Sequence, residues 1–240
     1  MSKYANRFTM DAVRLFWDGV AVEYGEENER VERMHTQRFR EALRRLALRP
    51  GMKVLNVWSR TGSAVPYLRG ACADAVVVNA ELSRGMLDQA ARFHPNESFI
   101  QTSLHELPFG ASIFDAVLSL ETLEHVPDPL LFLAEIRRVL VPGGDLVMSL
   151  PPSAAEWTSF LNSLLKFHHG EGPHRFLAPG VVKRMLGEAG FELLEHRGTL
   201  FVPFSGTFFE SLDTRLSALF TDGPFAQLGI RQFYVCKAPR

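Results

Sequence analysis

The stretch FDAVLSLETLEHVPDPLLFLAEIRRVLVPGGDLVMS, residues 114–149, decides the fold class of this protein. It begins with an apolar run, residues 114–120, of the length of a buried strand. Asp128 and Pro129 then supply an N-cap and a proline at the first helical position, and the sequence Pro-Gly-Gly at 142–144 ends the helix. A second apolar run, 144–149, follows. The stretch therefore predicts a strand–helix–strand unit with two parallel strands.

The same alternation of short apolar runs and helical segments begins at Lys53 and continues toward the end of the chain. It predicts an α/β fold built on a parallel sheet. The predicted strands are residues 53–57, 75–80, 98–102, 114–120, 144–149, 191–196 and 229–237. Helices are predicted between the first five strands, and amphipathic helices also at 26–49, 157–165, 179–189 and 208–219.

Composition and charge narrow the class of protein. The chain has 240 residues, 46% of them hydrophobic, which is enough to bury a sizeable core. Its formal net charge of -1 lacks the excess of positive charge that a general nucleic-acid binder carries. Cys72 and Cys236 form no ligand pair, residues 1–13 are polar, and no run approaches 18 apolar residues. We therefore expect a cytoplasmic protein without a membrane span.

Four segments stand in a diagnostic order and spacing. They are Leu107-Pro108-Phe109, Phe114-Asp115-Ala116-Val117, Leu123-Glu124-His125-Val126-Pro127-Asp128-Pro129 and Arg138-Val139-Leu140-Val141-Pro142-Gly143-Gly144. Together they resemble the class I S-adenosylmethionine-dependent methyltransferases, specifically the small-molecule group that includes the ubiquinone and menaquinone biosynthesis enzymes. The resemblance covers about residues 12–237.

The resemblance implies a Rossmann-like sheet of seven mostly parallel strands, with helices on both faces and one antiparallel strand at its edge. It implies one domain, 1–240, made of an N-terminal helical cap at 1–50, a cofactor-binding half at 51–150, and a lid and substrate half at 151–240. In such a sheet, ligands bind beyond the carboxyl ends of the strands. The implied cofactor is S-adenosylmethionine, with S-adenosylhomocysteine as the product.

The first family motif, V-L-D-x-G-x-G-x-G, is altered in this chain. The matching segment, residues 54–62, has Asn56 in place of the acid and Trp58 and Arg60 in place of two glycines, and it keeps Gly62. Glycines there let the backbone turn tightly and approach the cofactor. Two accounts stay open: the large side chains point away and a shifted loop admits the cofactor, or they fill the pocket.

Other cofactor contacts are implied position by position. Glu81 ends the second strand, where the family has an acid that binds the ribose hydroxyls. Leu82 and Leu104 match the positions that enclose the adenine ring, and Ser103 stands where the family often has an aspartate for the adenine amino group. Leu120 ends the fourth strand, which borders the same pocket.

The resemblance also gives candidates for catalysis and for substrate contact. His125, just beyond the fourth strand, and His174, in the lid, are the candidate bases, because imidazole can accept a proton near neutral pH. Tyr24 and Phe176 are candidate substrate contacts. A metal cluster at His168, His169, Glu171 and His174 is not predicted, because this spacing matches no regular set of ligands.

Two function hypotheses follow. The first is methyl transfer from S-adenosylmethionine to an O, N or C atom of a small molecule. The second is a methyltransferase-like protein without catalysis that acts as a binding or regulatory partner, which the changes at Asn56, Trp58, Arg60 and Ser103 favour. A nicotinamide-dependent dehydrogenase is a distant third, because no G-x-G-x-x-G follows the first strand.

Overall fold

The computed structural model describes residues 2–24, 32–157, 172–202 and 206–240. Its strands are β1 (Lys53–Val57), β2 (Val76–Glu81), β3 (Ser98–Gln101), β4 (Phe114–Leu120), β5 (Leu140–Leu150), β6 (Glu192–Thr199) and β7 (Arg231–Lys237). Its helices are α1 (Met10–Val20), α2 (Glu32–Leu46), α3 (Val65–Ala71), α4 (Arg84–Phe93), α5 (Pro129–Val139), α6 (Pro179–Glu188) and α7 (Thr207–Phe220). Most of the predicted helix at 157–165 lies outside the described residues.

The strands form one seven-stranded sheet in the order β3-β2-β1-β4-β5-β7-β6. The neighbours among β1 to β5 pair in parallel, whereas β7 pairs antiparallel with both β5 and β6. The predicted mostly parallel α/β sheet is therefore confirmed. The position of the antiparallel strand is a correction: β7 lies between β5 and β6, and the edge strand is β6. Strands β5 and β6 run in the same direction, and β7, the last strand of the chain, inserts between them in the opposite direction.

Strand β5 starts earlier than its sequence predicts. Helix α5 ends at Val139, and Leu140 already pairs with Phe114 of β4. The register then shifts before Asp145, and Gly143 within this irregular segment has a positive φ of 77°. The Pro-Gly-Gly sequence therefore bends a strand that has already begun, instead of ending the helix.

Both faces of the sheet carry helices, and each face has its own core. On one face α2 and α3 pack with Val54, Leu118 and Val147, while α1, α4, α5 and α6 pack on the other face with Leu55, Val117 and Leu146. Helix α5 buries Phe132, Ile136 and Val139 of its predicted inner face, each at most 1% exposed, and Leu140, predicted for the same face, is buried at the start of β5. Within the described ranges, no helix combines the length and hydropathy needed to cross a membrane.

The parallel register brings three connections together at one edge of the sheet. Val57 of β1 lies beside Ala80 of β2 and Ser119 of β4, so these strands end at the same level. We call this the carboxyl edge. Segments far away in sequence close over it: the backbone N–H of Asn6 donates to Pro127 O, and that of Arg175 donates to Glu124 O.

Candidate functional site

The loop at residues 58–62, called here the β1 loop, keeps a glycine-type backbone without the glycines. Trp58 and Arg60 both have a φ of 54°, and Gly62 has a φ of 79°. A non-glycine residue in this left-handed region costs roughly 1–2 kcal/mol. The chain therefore holds the tight turn in spite of two unfavourable residues, and the surrounding structure must enforce it.

The side chains of Trp58 and Arg60 do not turn out to solvent. Trp58 is 2% exposed and Arg60 is 9% exposed. The Arg60 guanidinium carbon lies 3.4 Å from the Trp58 ring centroid and 3.7 Å from that of Trp17 on α1. Both side chains are therefore buried against α1, and cation–π contacts hold the guanidinium in the angle between two indole rings.

An aromatic cluster surrounds this guanidinium. Trp58 lies 5.9 Å from Trp17 and 5.0 Å from His125, centroid to centroid, and both pairs are nearly perpendicular. Trp17 also contacts Tyr24, at 5.7 Å. The structure thus brings the separately predicted residues Tyr24, Trp58 and His125 to one place at the carboxyl edge.

His174 and Phe176, from the segment predicted as a lid, extend the same cluster. The rings of His125 and His174 are 5.9 Å apart, and His174 lies 4.7 Å from Phe176. His174 Nδ1 also lies 2.8 Å from Gly172 O. The two candidate bases and the candidate substrate contact Phe176 therefore form a continuous row next to the β1 loop. The remaining members of the rejected metal cluster, His168, His169 and Glu171, lie outside the described residues.

His125 is held in one tautomer. Its Nδ1 donates to Pro173 O at 2.9 Å, because a carbonyl oxygen can only accept, so the lone pair lies on Nε2. Burial, together with the positive charge of Arg60, lowers the pKa of His125 well below its ordinary value. The imidazole is therefore neutral at pH 7.

Several polar atoms near the β1 loop are buried without a hydrogen bond. Among the described residues, no partner lies within reach of Trp58 Nε1, Ser59 Oγ, Arg60 Nη1 or Ser119 Oγ. The first three belong to consecutive residues, and Ser119 is beside Val57 at the end of β4. Buried polar groups are nearly always hydrogen-bonded, so a cluster of exceptions needs an explanation.

Glu81 is wholly buried at the end of β2, and backbone donors take most of its acceptor capacity. Arg60 N donates to Oε2 at 2.7 Å, and the N–H groups of Leu82 and Ser83 donate to Oε1 at 2.9 and 2.8 Å. Burial raises the pKa of this carboxyl, although the charge of Arg60 and these hydrogen bonds oppose the shift. A carboxylate has about four acceptor positions, so Oε2 keeps one for a ligand.

The other predicted cofactor residues are divided. Leu82 and Leu104 are buried in the core on the α1 side of the sheet, whereas Leu120 packs with the core on the α2 side. Ser103 is exposed, and its Oγ accepts from the backbone N–H of His105. The structure thus brings the two proposed adenine contacts to one face but places Leu120 on the other.

Asn56 and Gly62 face neighbours that the sequence did not indicate. The Asn56 side chain donates to Asn79 Oδ1 at 2.9 Å, across to the adjacent strand β2. A Cβ atom at Gly62 would lie 2.6 Å from the His94 ring, so only glycine fits there without a shift. Asn56 is therefore a strand-to-strand contact, and Gly62 permits close packing in addition to its positive φ.

Trp17 and Asp18 of α1 belong to the site but were not singled out from the sequence. Asp18 of α1 accepts hydrogen bonds from Ser83 Oγ at 2.7 Å and from Gly85 N at 3.1 Å. Burial opposes ionisation, but these bonds and the charge of Arg14 outweigh it and lower the pKa of Asp18. Asp18 therefore fixes α1, and with it Trp17, against the start of α4. The sequence feature that could have indicated Asp18 is its position directly after Trp17.

Comparison with known proteins agrees with the resemblance. Residues 55–148 match a family model described as a methyltransferase domain. Over 141 residues, which make up 58% of each chain, the protein is 37% identical to demethylmenaquinone methyltransferase of Renibacterium salmoninarum. It is 32% identical over 168 residues to the ubiquinone biosynthesis O-methyltransferase of Dinoroseobacter shibae, which covers 65% of this chain and 66% of that one.

Solved structures share the fold. An S-adenosylmethionine-dependent methyltransferase from Thermotoga maritima superposes with a TM-score of 0.70 at 19% identity, covering 96% of this chain and all (100%) of the other. Magnesium protoporphyrin IX methyltransferase from Synechocystis, with bound S-adenosylhomocysteine, gives a TM-score of 0.67 at 15% identity and covers 95% and 99%. The chain belongs to the class I S-adenosylmethionine-dependent methyltransferase family. It matches about three fifths of the length of its curated relatives.

The polar groups at the carboxyl edge of this methyltransferase-family chain fit the family's cofactor in their chemistry. S-adenosylmethionine presents a carboxylate, ribose hydroxyls and an adenine ring. The unpaired donors of Trp58, Ser59 and Arg60 suit an acceptor group, and the free position on Glu81 Oε2 suits a hydroxyl. The donor set thus matches a ligand that carries both kinds of group.

Proposed function

We propose that this protein transfers a methyl group from S-adenosylmethionine to an O, N or C atom of a small molecule and releases S-adenosylhomocysteine. One observation carries the proposal. Trp58, Arg60 and Gly62 all keep positive φ angles, and the N–H of Arg60 donates to Glu81 at the end of β2. The turn between β1 and the strand-end acid thus survives the loss of two glycines.

Different residues at the carboxyl edge bind different parts of the cofactor. Glu81 Oε2 accepts a hydrogen bond from a ribose hydroxyl, and Leu82 and Leu104 contact the adenine ring. The bound cofactor supplies an electrophilic methyl group. Methyl transfer is a substitution at carbon, so the site must align the accepting atom with that group.

His125 and the lid act on the acceptor. The neutral imidazole of His125 carries its lone pair on Nε2 and accepts the proton that a hydroxyl or amine loses on methylation. His174, Phe176 and Tyr24 line the approach to it and contact the substrate. Two relatives are named demethylmenaquinone methyltransferase and ubiquinone biosynthesis O-methyltransferase, and these names favour a phenol or quinol ring as the acceptor.

The test joins binding and turnover. Calorimetric titration of the parent protein with S-adenosylmethionine and S-adenosylhomocysteine should give micromolar dissociation constants. Mass spectrometry should then detect S-adenosylhomocysteine when small phenols and catechols are added. Absence of binding by a folded parent would refute the proposal.

Glu81→Ala should weaken cofactor binding at least tenfold, because each hydrogen bond to a charged group is worth about 1.5–3 kcal/mol. Glu192→Ala is the matched control, since Glu192 is exposed and begins β6 at the opposite edge of the sheet. Equal affinity of Glu81→Ala and the parent would remove Glu81 from the site.

A second candidate function is a methyltransferase-like binding or regulatory partner without catalysis. The observation that favours it is the buried packing of Trp58 and Arg60 against Trp17, at positions where glycine leaves space. This function predicts that the folded parent binds neither S-adenosylmethionine nor S-adenosylhomocysteine up to about 1 mM, which is about 2.7 kcal/mol weaker than 10 μM.

A further inference from the structure

We propose that Arg60, together with Trp58 and Ser59, forms a carboxylate-binding site at the end of β1. The inference deepens the proposed function, on which it rests, by naming the chemical group that the β1 loop holds. In this site the side chains that replace the loop glycines bind the ligand themselves.

The first argument is the set of unpaired donors. Within the described ranges, Trp58 Nε1, Ser59 Oγ and Arg60 Nη1 lack a hydrogen-bond partner, and Trp58 and Arg60 are both more than nine tenths buried. The indole and the guanidinium can only donate, and the hydroxyl can do so as well. Three consecutive residues of one loop therefore carry unpaired donors, and the group that suits them is an acceptor.

The second argument compares Arg60 with Arg231, another deeply buried arginine at the carboxyl edge. Arg231 Nε lies 3.0 Å from Glu121 Oε1, and Ser149 Oγ donates to the same oxygen. Arg60 has no such ion pair in the part of the chain that the structure describes. A buried guanidinium usually has a carboxylate partner, so the comparison points to a carboxylate ligand for Arg60.

The third argument is preorganisation. The guanidinium rests against Trp58 and Trp17, and Asp18 fixes Trp17 in place through Ser83 and Gly85. A guanidinium fork with a fixed orientation loses little side-chain entropy when it binds a planar two-oxygen group. The two indole faces thus fix the orientation of the guanidinium, while the Trp58 Nε1–H is itself one of the donors of the site.

The charges nearby select a singly charged group. Burial lowers the pKa of Arg60, and the charges of Tyr24 and of the two carboxyls Glu81 and Glu124 oppose this shift because they favour the protonated guanidinium. Two acidic neighbours disfavour a doubly charged phosphate. A carboxylate satisfies the donors with a single charge, and it comes either from the amino-acid end of the cofactor or from the methyl acceptor.

Calorimetry with two pairs of probes distinguishes these sources. The first pair is S-adenosylhomocysteine and 5′-methylthioadenosine, which lacks the amino-acid end. The second pair is benzoate and benzamide, titrated with S-adenosylhomocysteine present. Parent, Arg60→Met and Arg60→Lys are compared, and Arg49→Met is the control, because Arg49 is exposed and precedes β1 at the opposite edge.

If the cofactor supplies the carboxylate, the parent should bind S-adenosylhomocysteine at least 30-fold more tightly than 5′-methylthioadenosine. Arg60→Met should lose at least tenfold of that preference, Arg60→Lys should lose less, and Arg49→Met should lose none. If the acceptor supplies it, the parent should prefer benzoate to benzamide, and only the Arg60 variants should lose this preference.

The failures are separable. Adenosine-type ligands that bind the parent with no dependence on Arg60, combined with equal binding of benzoate and benzamide, would overturn the carboxylate site and leave the proposed function intact. A parent that binds neither adenosine probe but prefers benzoate through Arg60 would refute methyl transfer and support the site. Should Arg60→Met not fold, the preferences of the parent alone decide, because equal affinity within both pairs overturns the inference.

Discussion

Helix α5 and the β1 loop adjoin the same sheet, but they differ in whether their polar groups are paired and in whether their backbone is strained. In α5, Asp128 caps the helix by accepting from Leu131 N and also binds Ser2, and Ile136 is fully buried. In the β1 loop, Trp58 and Arg60 adopt left-handed backbone angles, and both side chains carry a polar atom that finds no partner among the described residues.

The difference separates a region shaped for stability from a loop whose strain and unpaired donors support the proposed binding role. The N-cap and the buried apolar face of α5 both favour the helix, so stability alone explains this part of the sequence. The β1 loop keeps two strained residues and several unpaired buried donors, which selection for stability alone would remove. Such strain persists where the surrounding structure enforces it and the site uses it.

Ile136→Ala should have the largest effect on stability. Removing a fully buried side chain between α5 and the sheet is expected to lower the free energy of unfolding by about 2–5 kcal/mol, measured by urea denaturation. Leu131→Ala, on the exposed face of the same helix, should change it little. A loss below about 0.5 kcal/mol for Ile136→Ala would contradict the placement of α5 over the core.

The double variant Trp58→Gly with Arg60→Gly tests the β1 loop directly. If the two side chains bind the ligand, the variant should bind S-adenosylhomocysteine at least tenfold more weakly, a change of about 1.4 kcal/mol. A triple variant that also carries Asn56→Asp should not regain binding, because Asn56 faces Asn79.

Thermal unfolding is the control for the double variant, since two new glycines also raise the entropy of the unfolded chain. A folded variant that binds at least tenfold more tightly than the parent would show that Trp58 and Arg60 obstruct the pocket. That result would favour the function without catalysis.

Asp128→Asn probes the other side of the comparison. Burial opposes ionisation of Asp128, but hydrogen bonds from Ser2 and from backbone N–H groups outweigh it and lower its pKa. The lowered pKa means that the carboxylate stabilises the fold above the pKa of the unfolded chain, near 3.9, and loses this effect as pH falls through the folded value. The parent should therefore exceed Asp128→Asn in stability at pH 7, and the gap should shrink below about pH 4. A gap that stays constant from pH 7 to pH 3 would contradict this role.

The smallest expected change concerns His125, which borders the β1 loop. Burial and the Arg60 charge lower its pKa, so nuclear magnetic resonance of the ring should show a neutral imidazole from pH 8 to about pH 6. In Arg60→Met the pKa should rise, because a like charge has been removed. Protonation of His125 in the parent near pH 6.5, the value of an ordinary histidine, would contradict its burial against Arg60.

Local signals were enough for much of the fold. The Asp-Pro start and the apolar period of α5, and the short apolar runs of β1, β2 and β4, are properties of neighbouring residues, and the structure has these elements within a few positions. The start of β5 was misplaced because the Pro-Gly-Gly sequence at 142–144 is as compatible with a bent strand as with a helix end. The pairing between Leu140 and Phe114 decided between them.

The sequence by itself determined the order of helices and strands, the family and the altered residues of the β1 loop, because periodicity and motif spacing are written along the chain. Only the tertiary structure decided that β7 inserts between β5 and β6, that Asn56 pairs with Asn79, and that Arg60 rests against Trp17. Each of these depends on which groups meet across tens of residues. A side chain selects its partner by distance and burial in the folded state, and local sequence contains neither.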